Sequence, residues 1–104
     1  MQDTARLDAL VLLLDNPDAD LHVRVGMGAI MEHLQGSDLL RRKIEDLAAL
    51  TRHRDARIRG DACHYLSLTH SRAAVPAVRA LLNDPDPDVR EVARDSLSVL
   101  ETAS

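Results

Sequence analysis

The densest group of reactive side chains in the sequence is Asp61, Cys63, His64 and Tyr65. A Cys–His nucleophile needs contact between thiol and imidazole, but adjacent helical positions point about 100° apart. Asp61 and His64 are three residues apart, so they share a helical face and could supply two metal ligands, whereas a catalytic zinc takes three. The sequence offers no second pair at matching spacing. We therefore expect neither a metal site nor a cofactor here.

Two aspartate–arginine pairs repeat with the same separation, Asp55 with Arg59 and Asp86 with Arg90. Each aspartate precedes a segment with helical apolar spacing. A carboxylate at such a position can accept hydrogen bonds from the unpaired N–H groups of the first helical turn. We interpret these pairs as structural rather than catalytic, and we expect that the protein is not an enzyme.

Aromatic residues are almost absent from the 104 residues, which contain one Tyr, no Phe and no Trp. A core of Leu, Val, Ala, Ile and Met suits packed helices better than a sheet, which favours β-branched and aromatic residues. The side chains that commonly stack on nucleobases are also missing. The composition therefore predicts an all-α protein of one domain, and it makes nucleic acid an improbable partner.

The charge and the cysteine content indicate which partners and which cellular compartment suit the protein. The formal net charge is −4, with a basic middle third between two acidic ends, which again argues against nucleic acid. The single cysteine cannot form an internal disulfide and suits a reducing compartment. Residues 1–20 have no basic segment ahead of their short apolar run, so we expect neither a signal peptide nor a membrane span. These features predict a cytoplasmic protein.

The chain divides into three similar units. Val89-Arg90 aligns with Ile58-Arg59, 31 residues earlier, and that pair aligns with Val23-Arg24, a further 35 residues earlier. In the first unit, aligning the turns instead would pair Leu21 with Val89, and we prefer the alignment of the Val-Arg pair. This period is typical of helical hairpins stacked into an α-solenoid. The sequence predicts repeats over 3–36, 37–70 and 71–101, with helices over 3–15, 20–35, 38–52, 56–69, 73–83 and 87–101.

The third unit resembles HEAT repeats, specifically the short bacterial kind named for phycobilisome-lyase-like proteins. The residues that carry the resemblance are Val75-Pro76, Leu81-Leu82, the turn Asp84-Pro85-Asp86-Pro87-Asp88-Val89-Arg90, Ala93 and Leu97. The likeness is strong over 72–100, moderate over 38–70 and weak over 3–35. The resemblance implies a right-handed superhelix in which the second helices line a concave face, and in which turn carboxylates and arginines form a ladder along the stacked repeats. It also implies scaffolding or protein–protein binding as the function.

We therefore predict a protein–protein interaction module or scaffold that binds its partner through the concave face. The alternative is a helical accessory domain of, or subunit for, a larger enzyme, including bilin-lyase-like systems. The candidate partner-binding residues are those expected on the exposed side of the second helices in the middle and last repeats: Arg57, Asp61, His64, Asp88, Glu91 and Asp95.

The first predicted helix is apolar around more than one face, because Leu7 is followed by the run Leu10–Leu14. A terminal repeat is expected to present a polar outer surface. This end of the solenoid is therefore expected to pack against a second copy of the chain or another domain. The alternative is that the second hairpin covers more of it than expected.

Overall fold

The structure, a computed structural model, describes residues 21–102, with side chains from Val25 onward. All regular structure in this part of the chain is helical, which confirms the predicted all-α class. The helix predicted over 3–15 and the apolar run Leu10–Leu14 lie outside the described residues, so the repeat boundaries and self-association stay predictions. The helices are α1 (Leu21–His33), α2 (Asp38–Arg41), α3 (Ile44–Leu50), α4 (Ala56–Leu68), α5 (Val75–Ala80) and α6 (Pro87–Thr102), with 3-10 turns at Arg72–Ala74 and Leu81–Asn83.

Side chains that the sequence marks as caps start the helices. The Ser37 hydroxyl accepts a hydrogen bond from the N–H of Leu40 at 3.1 Å. The carboxylate of Asp55 accepts one from the N–H two residues ahead at 2.8 Å. The carboxylate of Asp86 accepts two, at 2.8 and 3.2 Å, with Pro87 as the first residue of α6. Each bond satisfies a donor that has no partner within its own helix.

The core lies between the helices, with α4 at its centre. This helix packs against α1, α3 and α6, and α6 packs in turn against α5. Leu66 of α4 is fully buried, as are Met31 of α1 and Leu47 of α3. One face of α6 packs on this core, since Val89, Ala93, Ser96 and Leu100 are buried and Leu97 is half-buried against them.

The prediction of one helix over 38–52 was wrong, because α2 ends at Arg41 and α3 begins at Ile44. At the join, the N–H of Lys43 bonds to the carbonyl of Leu40, three residues back, at 3.0 Å. The Arg41 guanidinium reaches across the molecule and donates to the carbonyl of Thr69 at 3.1 Å. This tether to the end of α4 is a tertiary contact made by the last residue of α2.

The helix predicted over 73–83 is present but tightened at both ends. Only Val75–Ala80 is α-helical, and the flanking turns are 3-10 helices. At its C-terminal end the N–H of Asp84 bonds to the carbonyl of Leu81 at 3.1 Å, a three-residue step typical of 3-10 geometry.

The C-terminal ends of α1 and α4 are joined directly. The N–H of Gly36 donates to the carbonyl of Leu68 at 2.8 Å, and Gly36 has φ +73°, a conformation that favours glycine. Beside it, the Nε2 atom of His70 lies 2.8 Å from the Oε1 atom of Gln35. These bonds hold the segment after α1 against the end of α4.

Candidate protein-binding groove

A groove of about 740 Å³ runs between α4 and α6. Its deepest surface comes from buried residues, among them Leu68 and Val89, and Val92 and Val99 extend the apolar surface upward along α6. The exposed side chains along its edges are polar. The residues that line it are Gln35, Ala56, Arg57, Gly60, Asp61, His64, Ser67, Leu68, Asp86, Asp88, Val89, Val92, Asp95, Ser96 and Val99.

Helical spacing places these side chains along the groove. On α4, Arg57, Asp61 and His64 follow one another at four and three residues, so they occupy one face. On α6, Asp88, Val92, Asp95 and Val99 follow one another at four, three and four residues, so they also share one face. Gly60 adds depth, because a Cβ there would lie 3.9 Å from the Cγ2 atom of Val89 and would occupy part of the groove.

Five of the six predicted partner-binding residues meet at this groove. One residue, Glu91, is exposed on α6 but does not line it. Whether these residues bind a partner stays a prediction; the structure gives their position. The five that line the groove are Arg57, Asp61, His64, Asp88 and Asp95.

The apolar part of the groove was missed by the sequence analysis. Val92 is half-buried and the exposed fraction of Val99 is 39%. The two valines are seven residues apart, two helical turns, and they share their face of α6 with Asp95. That spacing was available in the sequence, but the face had been assigned as polar because of its acidic residues.

The groove carries an excess of negative charge. Four aspartates and one arginine line it, which gives a formal charge of −3 with His64 neutral. The Asp86 carboxylate is already occupied as the cap of α6. The carboxylates of Asp88 and Asp95 are exposed on the α6 edge, whereas Asp61 and Arg57 stand one turn apart on the α4 edge. Cations are therefore attracted mainly to the α6 side.

Outside the groove, a buried ion pair joins the second and third hairpins. The Arg59 guanidinium binds both oxygens of the Asp84 carboxylate, at 2.8 and 3.0 Å. The side chains are only 14% and 5% exposed. The hydrogen bond to Arg59 lowers the pKa of Asp84 below its ordinary value, and the same bond raises the pKa of Arg59.

This geometry corrects the pairing suggested by the sequence. The carboxylate that binds Arg59 belongs to Asp84 of the next repeat, whereas Asp55 and Asp86 cap helices. Arg90 donates to the carbonyl of Asp84 at 2.7 Å rather than to the Asp86 carboxylate. Among the described residues, the ladder implied by the resemblance is therefore present as one rung, formed by the first aspartate of the turn rather than by the capping Asp86.

The arginines also brace their own turns in the same way. Arg59 donates to the carbonyls of His53 and Arg54 at 2.9 and 3.0 Å. Arg90 makes the equivalent bonds to the carbonyls of Asp84 and Pro85 at 2.7 and 3.3 Å. These matching contacts explain why the two arginines recur at the same position of the repeat.

The reactive cluster is separated by the fold as the helical spacing predicted. Cys63 is completely buried, whereas His64 is exposed at the groove. Burial raises the pKa of the Cys63 thiol to about 11, with a hydrogen bond to Ser96 acting in the opposite direction. Tyr65 is in the core and is 5% exposed.

Among residues 21–102, no group of three or more His, Cys, Asp and Glu side chains is arranged to hold a metal ion. In the same range, no helix is both long enough and apolar enough to cross a membrane.

The helical hairpins pack side by side around a shared core, and an arginine–aspartate ion pair joins two of them. This arrangement defines a helical-repeat protein. The family model described as HEAT repeats matches residues 7–98, so the chain belongs to the HEAT repeat family and forms an α-solenoid. No curated protein matches the sequence. HEAT repeats generally mediate protein–protein interaction or scaffolding. The handedness of the superhelix, the phycobilisome-lyase-like subgroup and a bacterial origin stay predictions.

Proposed function

We propose that this protein is a binding module that docks another protein in the groove between α4 and α6. The observation that carries the proposal is the meeting of five predicted partner-binding residues around an apolar surface in one groove. The function is binding rather than catalysis, and no cofactor takes part.

The make-up of the groove supports this function. Protein interfaces combine an apolar centre that loses its water with a polar rim that sets orientation. Here Val92 and Val99 supply the centre, above the buried Val89, and exposed charges supply the rim. The contact area of so small a solenoid is modest, so affinity depends on a few well-buried anchors rather than on total area.

The test is affinity capture from the source cells with two charge-altered variants. The groove variant carries Asp61→Lys, His64→Ala and Asp95→Lys. The control carries Glu45→Lys and Asp46→Lys on α3, where both residues are exposed and neither lines the groove. Circular dichroism and urea unfolding establish that both variants are folded.

A partner retained by the native chain and the control but lost by the groove variant is the expected result. Equal retention by all three proteins would place the binding surface elsewhere. Equal loss from both variants would show that net charge rather than the groove governs capture.

A further inference from the structure

The groove is long enough for a short helix. Asp88 and Val99, at its two ends on α6, are eleven residues apart, or about 17 Å at 1.5 Å per residue. A ligand helix lying along α6 over this distance would make about three turns. The apolar surface beneath it is continuous from the buried Val89 through Val92 to Val99.

The described walls of the groove are helical, which constrains how a peptide can bind. The backbone N–H and C=O groups within α4 and α6 are bonded inside their own helices, so these walls offer no strand edge for an extended peptide. The remaining contacts are side-chain contacts, which suit a helix that lays its apolar face into a groove. The negative charge of the lining opposes a nucleic-acid ligand.

The charged rim of the groove also constrains the charge of the ligand helix. Asp88 and Asp95 are exposed on the same edge and seven residues apart, so their carboxylates repeat at a spacing of two helical turns, about 10 Å. A helix running alongside α6 meets both of them if it carries cations at the same interval. On the opposite edge, Arg57 and Asp61 are of opposite sign and attract neither charge strongly.

We propose that the groove accepts an amphipathic α-helix of the partner protein, with apolar residues against Val92 and Val99 and Lys or Arg facing Asp88 and Asp95. This proposal rests on the proposed function, since it names the chemistry of the partner at the same groove. It also assigns roles within the site: the valines anchor the helix, and the two α6 aspartates select its charge.

The probe is a fluorescein-labelled synthetic helix of about 14 residues, with Leu on one face and Lys on the other, a length that covers the three turns of the groove. A second peptide has Glu in place of every Lys. A third has the same composition as the first in an order that scatters Leu around the helix. Fluorescence anisotropy measures the Kd of each for the full chain.

Three protein variants accompany the native chain. Asp88→Lys with Asp95→Lys reverses the α6 rim. Glu45→Lys with Asp46→Lys makes the same change of net charge away from the groove, and these residues also belong to the first turn of a helix, as Asp88 does. Val99→Asp places a charge on the apolar surface at a position that is already partly exposed.

The basic amphipathic peptide is expected to bind the native chain at least tenfold more tightly than either other peptide. Binding is expected to weaken about tenfold in the rim variant and in Val99→Asp, and less than twofold in the α3 control. A Kd above about 1 mM for the basic peptide overturns the proposal. Equal binding of the scattered peptide, or equal weakening by the α3 control, also overturns it, because both indicate non-specific charge attraction.

The two proposals fail in distinguishable ways. If capture depends on the groove but the peptide results are negative, the groove binds a protein of different chemistry, and only the partner's description is wrong. If capture does not depend on the groove, the proposed function fails regardless of the peptide results.

Discussion

Arg59 and Asp84 are the two residues that tie the second hairpin to the third. Their side chains are buried and bonded through two hydrogen bonds, and the Asp84 carboxylate also accepts the N–H of Asp86 at 2.9 Å. A buried charge that loses its partner is costly, because the desolvation of the remaining ion is no longer offset. The pair therefore sets a specific docking geometry that apolar contacts alone do not impose.

Removing the carboxylate should destabilise the protein strongly. We expect Asp84→Ala to lower the free energy of unfolding by about 2 kcal/mol, because the Arg59 guanidinium keeps only its bonds to backbone carbonyls and the N–H of Asp86 loses its acceptor. Urea denaturation measures the change. Glu91→Ala, at an exposed position on α6, is the control and should cost less than about 0.5 kcal/mol.

The double variant Arg59→Ala with Asp84→Ala should lose less than the sum of the single changes. If the loss of unfolding free energy in the double variant equalled the sum of the two single losses, the two side chains would not stabilise each other.

The same pair predicts a dependence of stability on pH. The pKa of Asp84 is lowered in the folded state by its hydrogen bond to Arg59, so folding favours the ionised form. Its stabilising contribution is full above the ordinary pKa of 3.8 and is lost as the pH falls through the lower folded value. Urea midpoints measured from pH 7 to pH 2 should therefore converge for the native chain and Asp84→Asn at the acid end. A constant difference between the two proteins down to pH 2 would contradict this.

Cys63 should be almost inert in the folded protein. Its pKa of about 11 lies two units above the ordinary 9.0, so at pH 8 the thiolate fraction is about a hundredfold lower than in an unfolded chain. Complete burial slows access further. We expect labelling by a thiol-reactive disulfide reagent to be at least a hundredfold slower in buffer than in urea. Similar rates in the two conditions would show that α4 opens readily.

At the scale of elements, the caps and apolar stripes could be read from the sequence because both are local. Ser37, Asp55 and Asp86 each lie just before a run with helical spacing, and all three accept hydrogen bonds there. The break between α2 and α3 was not foreseen, because the apolar spacing continues from Leu39 and Leu40 into Ile44 and Leu47 and carries no signal of a helix end.

The two aspartate caps allow a comparison between helices. Asp86 accepts hydrogen bonds from two N–H groups of α6, so we expect Asp86→Ala to lower the free energy of unfolding by about 1 kcal/mol. Asp86→Ser should recover most of the loss, because the serine hydroxyl can accept the same bonds. Urea denaturation of both variants checks this. Equal losses for Ala and Ser would assign the effect to charge rather than to capping.

The Arg59–Asp84 ion pair shows why the contacts of one repeat could not be predicted from the sequence of its neighbour. Aligning the turns places His53 where the last repeat has Asp84, so the middle repeat has no carboxylate at this position. The Nδ1 atom of His53 accepts the N–H of Asp55 at 2.9 Å, as the Asp84 carboxylate accepts that of Asp86. The two side chains perform the same local task, but only Asp84 can also bind the arginine of the preceding repeat as an anion.

At the scale of the whole molecule, the period of about 31 to 35 residues was sufficient to predict an α-solenoid. The position of five candidate residues also followed from helical periodicity. The groove itself could not be predicted, because its shape depends on the distance between α4 and α6 and on the valines between the charged residues. The sequence therefore predicted the charged rim of the candidate site, and the structure showed its apolar centre.

The central claim is that the groove between α4 and α6 is the docking surface, and site-specific photo-crosslinking in the source cells tests it most directly. A benzophenone amino acid is placed at Val99 in the groove, and in a separate protein at Ala49, which is exposed on α3. We predict a covalent adduct with a discrete partner from the Val99 position and none from Ala49. An adduct from Ala49 alone, or equal adducts from both positions, would contradict the claim.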